Sequence, residues 1–145
     1  MQLKISTDYG IRITLYLATV GGVASAAEIG MAMAVPEQYI TALSRPLRKA
    51  GILRTVRGAS GGFALERKPE DISLRSIIEC MEGTTSINRC LEPDHYCSRK
   101  AAEICPVRCF YEKVQNAVDE AFENMTIAKL IQPPEIGGEK PRERR

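Results

Sequence analysis

A glycine-rich turn between two short β-prone runs limits what this chain can fold into. The runs span residues 52–56 and 63–65, and the turn between them reads Gly58-Ala59-Ser60-Gly61-Gly62. Glycine adopts positive φ angles and allows close backbone approach, so this pattern predicts a β-hairpin. The fold of the amino-terminal half must therefore include a small two-stranded element that begins at about residue 52.

Three helical patterns precede the hairpin. The first begins at Thr7, a candidate cap, and carries apolar residues at helical spacing. The second begins at Ser25, which forms a capping box with Glu28. The third opens at Pro36 and ends at Gly51, a typical left-handed cap. Helix, short helix, helix and hairpin in this order predict a winged helix-turn-helix.

Helical patterns also follow the hairpin. One spans 73–81 and ends at Gly83. A longer helix starts at Pro106 and carries a sustained apolar stripe, formed by Val107, Phe110, Tyr111, Val114, Val118, Ala121, Phe122 and Met125. Thr126 is predicted to cap a last short helix over 127–131. The predicted fold is thus mostly α with a small β-hairpin wing.

The charge pattern of the third helix and the hairpin favours a DNA-binding surface. The net charge is only +2, yet residues 38–65 contain no Asp or Glu and five basic side chains, Arg45, Arg48, Lys49, Arg54 and Arg57. A phosphate-facing surface needs this sign bias because acidic groups would repel the DNA backbone. The alternative interpretation of such a run is a solvated basic face.

The third helix is the predicted recognition helix, which enters the major groove. Its candidate contacts near base edges, all expected to be exposed, are Gln38, Tyr39, Thr41 and Ser44. Tyr39 could alternatively belong to the core. Arg45 and Arg48 are placed to reach phosphate or guanine. At the hairpin tip, Arg57 is the predicted minor-groove contact, and Ser60 and Gly61 are further candidate contacts beside it. Pro46 predicts that this helix either kinks or begins later.

Four of the five cysteines fall within one segment, at the spacing Cys90-x6-Cys97-x7-Cys105-x3-Cys109. Thiolates bind soft or borderline metals. Structural zinc sites usually contain C-x2-C pairs, which this segment lacks, so the spacing favours an iron–sulfur cluster. Cys109 is either a fourth ligand or a packed apolar residue. His95 is either a ligand or simply exposed, and Cys80 is predicted to lie in the core.

Several function classes are excluded by what the sequence lacks. The amino terminus has no apolar signal core and no stretch is long and apolar enough to span a membrane, which predicts a cytoplasmic protein with reduced thiols. There is no catalytic triad or carboxylate pair, and the run Gly58 to Gly62 lacks the Gly-Lys-Ser/Thr ending of a phosphate-binding loop. An enzyme is therefore not expected.

Several stretches together resemble the IscR/NsrR family of winged-helix regulators. They are STDYGIRITLYLA, VPEQYI, LRKAGILRTVRGASGGFAL, EDISLRSIIECMEG and the cysteine segment that opens with NRC, and the similarity covers about residues 1–132. Three features depart from the family pattern. The gaps between cysteines are longer than the family's five residues, the wing reads RGASGG rather than RGPGGG, and Pro46 interrupts the recognition helix.

The resemblance implies a homodimer that reads palindromic double-stranded DNA. Residues 1–83 would form the DNA-binding domain, 84–106 the cluster loop, 107–132 the dimerisation helix with its terminal short helix, and 133–145 a disordered tail. Cys90, Cys97 and Cys105 match the three cluster cysteines of the family. Arg108 replaces the histidine ligand of one branch. Asp8 matches the aspartate that a partner subunit donates in nitric-oxide-sensing members.

The sequence thus predicts a repressor that senses redox state, nitric oxide or iron through a [2Fe–2S] or [4Fe–4S] cluster. The fourth ligand would be Asp8 of the partner subunit or Cys109 of the same chain; alternatively, Asp8 is an ordinary helix-start residue. A regulator of the same fold with zinc, or with a metal-free thiol switch, is the second hypothesis. A small iron–sulfur electron carrier is the third, and it leaves the basic stretch unexplained.

Overall fold

The computed structural model describes residues 2–133. Within that range, the chain forms six α-helices and one antiparallel hairpin, in the order α1 (Ile5–Val20), α2 (Ala26–Met33), α3 (Glu37–Lys49), β1 (Leu53–Val56), β2 (Gly62–Leu65), α4 (Leu74–Glu82), α5 (Pro106–Asn124) and α6 (Ile127–Leu130). Short 3₁₀ turns lie at Pro69–Asp71, Arg89–Leu91 and Ala102–Ile104. The expectation of a mostly helical chain with a hairpin wing is confirmed. The predicted tail, apart from residue 133, lies outside the described residues.

The start of α1 differs from the sequence prediction. The helix begins at Ile5, and Thr7 lies fully buried inside it rather than at the cap. The Thr7 hydroxyl donates instead to the Glu82 carboxylate at the end of α4, which also accepts the Lys4 N–H at 2.8 Å. The prediction of a Thr7 cap is therefore wrong, because a carboxylate distant in sequence satisfies the first turn of the helix.

The second and third helices form as predicted. Ser25 Oγ accepts from the Glu28 N–H at 3.2 Å, and Glu28 Oε2 accepts from the Ser25 N–H at 2.6 Å, which is the predicted capping box. Helix α3 begins at Glu37 and runs through Pro46 as one helix, so the alternative that it begins later is wrong. Pro46 has no N–H to donate to the preceding turn, but its carbonyl still accepts from the Ala50 N–H at 3.0 Å. Gly51 follows in the left-handed region with φ 67°.

The hairpin is attached to the start of α2. Strand β1 pairs with β2 in the register Leu53 with Leu65 through Val56 with Gly62. Phe63 and Ala24 exchange two further backbone hydrogen bonds, of 2.8 and 3.0 Å. A side chain at Gly62 would place its Cβ 2.2 Å from the Ala24 carbonyl oxygen, so this close approach requires glycine. The wing is thereby fixed to the helical part of the fold.

The core lies between α1, α3 and α4. Ile13, Ile40 and Ile77 are fully buried there, one from each helix. Helix α6 closes one side with Ile127, whose N–H donates to the Ile72 carbonyl at 2.9 Å. The Thr126 side chain accepts from the Lys129 N–H, which confirms the predicted cap of α6. No described helix combines the length and the apolar character that a membrane crossing requires.

Candidate DNA-binding surface and cysteine segment

The exposed face of α3 and the hairpin tip form one basic surface, which we call the α3–wing surface. Its exposed members are Gln38, Tyr39, Thr41, Arg45, Arg48, Lys49, Arg57 and Ser60. Gly61 at the tip is partly buried, and its N–H closes the turn onto the Gly58 carbonyl at 3.0 Å. The exposure expected of Gln38, Tyr39 and Thr41 is therefore confirmed, whereas contact of the surface with DNA stays a prediction.

Ser44 is a correction to the expected surface. Its side chain is 1% exposed, and its hydroxyl donates to the Thr41 carbonyl one turn earlier in α3 at 2.8 Å. The expectation that Ser44 is exposed is wrong, because this position faces the core beside Ile40 and Leu47. A short polar side chain is tolerated there since its hydroxyl finds a partner in its own helix.

The five basic side chains of residues 38–65 fall into two groups. Arg48 Nη1 donates to Thr55 Oγ1 at 3.0 Å, and Arg54 Nε lies 3.7 Å from Glu66 Oε2. Within residues 2–133, no salt bridge involves the other three basic residues of the acid-free run, Arg45, Lys49 and Arg57. The charges of these three side chains are therefore not neutralised by a salt bridge within the described chain.

A chain of contacts joins Asp8 to the recognition helix. Asp8 Oδ2 lies 2.7 Å from Arg12 Nη2 one turn later in α1. Arg12 also donates to the Met33 carbonyl at the end of α2, at 3.1 Å, and its guanidinium lies over the Tyr9 ring. Tyr9 meets Tyr39 of α3 edge to face, with ring centroids 5.9 Å apart. Sequence reasoning missed this network, although the i,i+4 spacing of Asp8 and Arg12 signals the salt bridge.

The cysteines differ in their surroundings. Cys80 packs against the core as predicted, and burial raises the pKa of its thiol to about 11. Cys90, Cys97 and Cys105 are half-buried with free thiols, and Cys109 is exposed. Because Cys109 is exposed, it does not pack as an apolar residue within the described chain, which was one of its two predicted roles. Between residues 2 and 133, no three His, Cys, Asp or Glu side chains converge in a way that would hold a metal ion.

Cys97 lies in a tight turn that stabilises its thiolate. The Lys100 N–H donates to the Cys97 carbonyl at 2.9 Å, and Lys100 adopts φ 53°. Hydrogen bonds from the backbone of Ala101 and Arg99 lower the pKa of the Cys97 thiol below its ordinary value. These backbone hydrogen bonds favour the thiolate of Cys97, which is the form that reacts with oxidants and binds metals.

Cys105 stands directly before α5. It occupies the N-cap of the helix, and the Cys109 N–H donates to its carbonyl at 3.2 Å. Arg108, in the first turn, is nearly buried, with Nε 3.2 Å from Glu112 Oε1. His95 is exposed and adopts φ 49°. Cys105 is half-buried rather than buried, so it is not a core residue of the described chain.

The start of the cysteine segment is fixed by a residue that sequence analysis did not single out. Gln115, in the middle of α5, is only 9% exposed. Its side chain accepts from the Ile87 N–H at 2.7 Å and donates to the Thr85 carbonyl at 3.1 Å. A glutamine on a helix with a polar outer face gives no sequence signal for this role, because its partners lie about 30 residues earlier in an aperiodic segment.

The model of the Rrf2 family, described as an iron-dependent transcriptional regulator, matches residues 3–133. This chain belongs to the Rrf2 family. The CymR regulator of Bacillus subtilis is 31% identical over 132 residues, which cover 88% of this chain and 89% of the relative. The fold of the Rrf2 family explains both the wing and the long helix α5.

Solved structures agree with this assignment. The structure of CymR, the global cysteine regulator of B. subtilis, matches with TM-score 0.75 and 28% identity over 90% of this chain and 96% of that chain. The structure of IscR from T. potens matches with TM-score 0.70 and 27% identity over 90% and 86%. The resemblance to winged-helix regulators is thus confirmed. The Rrf2 chain described here is a DNA-binding transcription regulator, and its relatives are regulators rather than enzymes.

Proposed function

We propose that this protein is a cytoplasmic repressor whose affinity for palindromic DNA is set by the chemical state of Cys90, Cys97 and Cys105. One observation carries the proposal. Three half-buried, unpaired thiols lie in a single segment between the DNA-binding unit and α5. Free thiols are maintained in a reducing compartment, and their position lets a change in this segment reach both neighbouring parts of the fold.

The donor set suits an iron–sulfur cluster in its chemistry. Cys90, Cys97 and Cys105 would hold the cluster, and Asp8 of the partner subunit or Cys109 would complete it. Thiolates are the ligands such clusters prefer, and no C-x2-C knuckle favours zinc. Bound there, the cluster would supply a centre that reacts with nitric oxide and oxidants. Because the described chain does not gather these thiols around one point, the segment must change shape to bind the cluster.

The contacts of Asp8 suggest how this region affects DNA reading. Its salt bridge orients Arg12, and Arg12 in turn contacts the end of α2 and the ring of Tyr9 beside Tyr39. Withdrawal of the Asp8 carboxylate would leave the Arg12 guanidinium held only by the Met33 carbonyl and the Tyr9 ring, so its position would be less fixed. The recognition helix would then lose a fixed support on its exposed side, at Tyr39.

The exposed apolar side chains near the start of α5 support a homodimer. Ile104, Val107 and Phe110 are 83%, 53% and 62% exposed, respectively. Burial of such side chains against a second α5 would remove apolar surface from water. A dimer would present two α3–wing surfaces, which is the arrangement that reads a palindromic operator.

A metal-free thiol switch is the second candidate, and one observation favours it. The lowered pKa of Cys97 gives this thiol more thiolate at neutral pH, which speeds oxidation without any metal. The sequence similarity to CymR, a regulator of cysteine, is consistent with this alternative. Zinc held by the same cysteines is the remaining variant of this candidate.

Anaerobic purification tests the proposal. We expect a brown protein that absorbs visible light and contains both iron and acid-labile sulfide. Asp8→Ala and Cys109→Ala then identify the fourth ligand, because only the variant that removes a ligand should change the spectrum. A colourless protein with stoichiometric zinc, or with no metal after reconstitution with ferrous iron and sulfide, contradicts the cluster.

A further inference from the structure

Gln115 connects the cysteine segment, residues 84–106, to the helices that carry the DNA-binding surface. We propose that Gln115 is a positioning residue through which the state of this segment and the occupancy of the α3–wing surface influence each other. The inference rests on the proposed function, since it concerns how the sensing segment reaches DNA. It is argued from three sets of contacts.

The first set fixes the start of the segment. Gln115 Oε1 accepts from the Ile87 N–H at 2.7 Å, while Nε2 donates to the Thr85 carbonyl at 3.1 Å and to Asp119 Oδ1 at 2.8 Å. A reversed amide would direct a donor at an N–H and an acceptor at two oxygens, so only this orientation satisfies all three partners. The nearly buried amide thus holds the segment in one position on α5.

The second set leads from Gln115 to α4. Asp119, which accepts from Gln115, has its other carboxylate oxygen 3.7 Å from Arg75 Nη2. Arg75 belongs to α4 and is oriented by Glu79 at 2.8 Å. Helix α4 packs against both α1 and α3, and Ile77 and Ile78 belong to the buried part of the chain. A shift of the segment therefore has a continuous polar path to an element that supports the recognition helix.

The third set fixes the far end of the segment. Cys105 occupies the N-cap of α5, so the end of the segment joins the same helix that its start contacts through Gln115. Between these points, Arg89 pairs with Asp94, and Thr84 donates to Glu92 at 2.8 Å. Because both ends of the segment are held on α5, a rearrangement around Cys90 and Cys97 strains the hydrogen bonds that Gln115 makes with Thr85 and Ile87. Coupling of this kind acts in both directions by thermodynamic necessity.

Thiol alkylation of the reduced full-length protein tests this coupling without any metal. The rates at which iodoacetamide modifies Cys90 and Cys97 are measured by mass spectrometry, with and without a DNA duplex that the protein has selected from random sequences. We expect DNA to change at least one rate by about 5-fold or more in the wild type, the lower end of typical coupling. In Gln115→Leu, the change should fall below about 2-fold while DNA is still bound.

Asn116→Ala is the matched control, because Asn116 is the exposed neighbour of Gln115 on α5 and should behave as the wild type. Should Gln115→Leu fail to fold, Asp119→Asn takes its place. That variant keeps an acceptor for Gln115 and removes the charge that faces Arg75, so the effect of DNA should shrink while hydrogen exchange at Ile87 stays slow.

Two results overturn the inference. The first is that bound DNA does not change the alkylation rates of Cys90 and Cys97 in the wild type. The second is that bound DNA changes these rates in Gln115→Leu as much as in the wild type. Failure of the proposed function has a different signature, because a purified protein without iron and sulfide refutes the cluster while the alkylation rates still decide the role of Gln115.

Discussion

Arg48 of α3 donates a hydrogen bond to Thr55 of β1, with 3.0 Å between Nη1 and Oγ1. The recognition helix and the wing are thereby joined directly, in addition to the backbone that connects them. Since the two elements are expected to enter different grooves of DNA, the bond fixes the angle between two reading elements. We therefore predict that Arg48 positions the wing relative to α3 in addition to any contact that its charge makes with DNA.

A double-mutant cycle separates this role from a phosphate contact. Thr55→Val and Arg48→Ala should each weaken DNA binding by roughly 2- to 10-fold, the equivalent of one modest hydrogen bond, and the double variant should be no worse than Arg48→Ala. Arg45→Ala combined with Thr55→Val provides the control, because Arg45 makes no bond to Thr55 within the described chain, and here the losses should add. Additive losses in the Arg48 cycle would instead assign Arg48 to the DNA backbone.

The salt dependence of DNA binding should distinguish the free basic residues from the paired ones. Arg57 at the wing tip makes no salt bridge within residues 2–133, whereas Arg54 pairs with Glu66 at 3.7 Å. Arg57→Ala should lower the slope of log affinity against log salt by about 0.9, the loss of one phosphate contact. Arg54→Ala should change the slope less. Equal slopes for wild type and Arg57→Ala, measured by fluorescence anisotropy, would contradict the assignment.

Gly62→Ala should destabilise the protein through the wing. The added Cβ would lie 2.2 Å from the Ala24 carbonyl oxygen, so either the strand or the start of α2 must move. Overpacking of this kind typically costs about 1–3 kcal/mol of unfolding free energy. Gly22→Ala is the matched control, since nothing lies within 4 Å of its added Cβ. Thermal denaturation of the two variants measures the difference in stability. An unchanged melting temperature for Gly62→Ala would show that residue 62 and the Ala24 carbonyl are not packed as closely as described.

Glu82 should make the protein sensitive to acid. Hydrogen bonds from Thr7 and the Lys4 N–H lower the pKa of this carboxylate below its ordinary value of 4.5. The stabilisation is therefore fully present above the ordinary pKa and is lost as the pH falls through the lowered value. Glu82→Gln should consequently lose stability at neutral pH and show a weaker dependence on pH below about 4.5. Denaturant unfolding at several pH values measures both effects, with Glu103→Gln, an exposed carboxyl in the cysteine segment, as the control.

Local sequence signals predicted much of the fold, and long-range contacts explain the exceptions. The Ser25 capping box and the Thr126 cap form because both partners lie within one helical turn. Thr7 failed as a cap because its partner, Glu82, lies 75 residues later in the chain. Ser44 lies four residues after Ile40 and three before Leu47, so the helical period places it on the buried face, and only its polar side chain suggested exposure.

The candidate site was predictable in its residue types but not in its arrangement. The acid-free run located the α3–wing surface, and the cysteine spacing located the sensing segment. Neither pattern revealed that Arg48 is engaged by Thr55 or that Gln115 holds Thr85 and Ile87. Such pairings depend on the tertiary approach of segments without periodicity, which a pattern within one helix or strand cannot report.

The proposal that the cysteine segment controls DNA binding is tested by one comparison. The affinity of the full-length protein for its selected operator is measured before and after the cysteine segment is chemically changed. Protein reconstituted anaerobically with ferrous iron and sulfide is compared with the same protein stripped by chelator, at one fixed salt concentration. We expect the affinities of the two wild-type forms to differ by about 5-fold or more, and those of the two Cys97→Ser forms to be equal. Equal affinities for the two wild-type forms, at iron and sulfide contents that confirm loading and stripping, would contradict it.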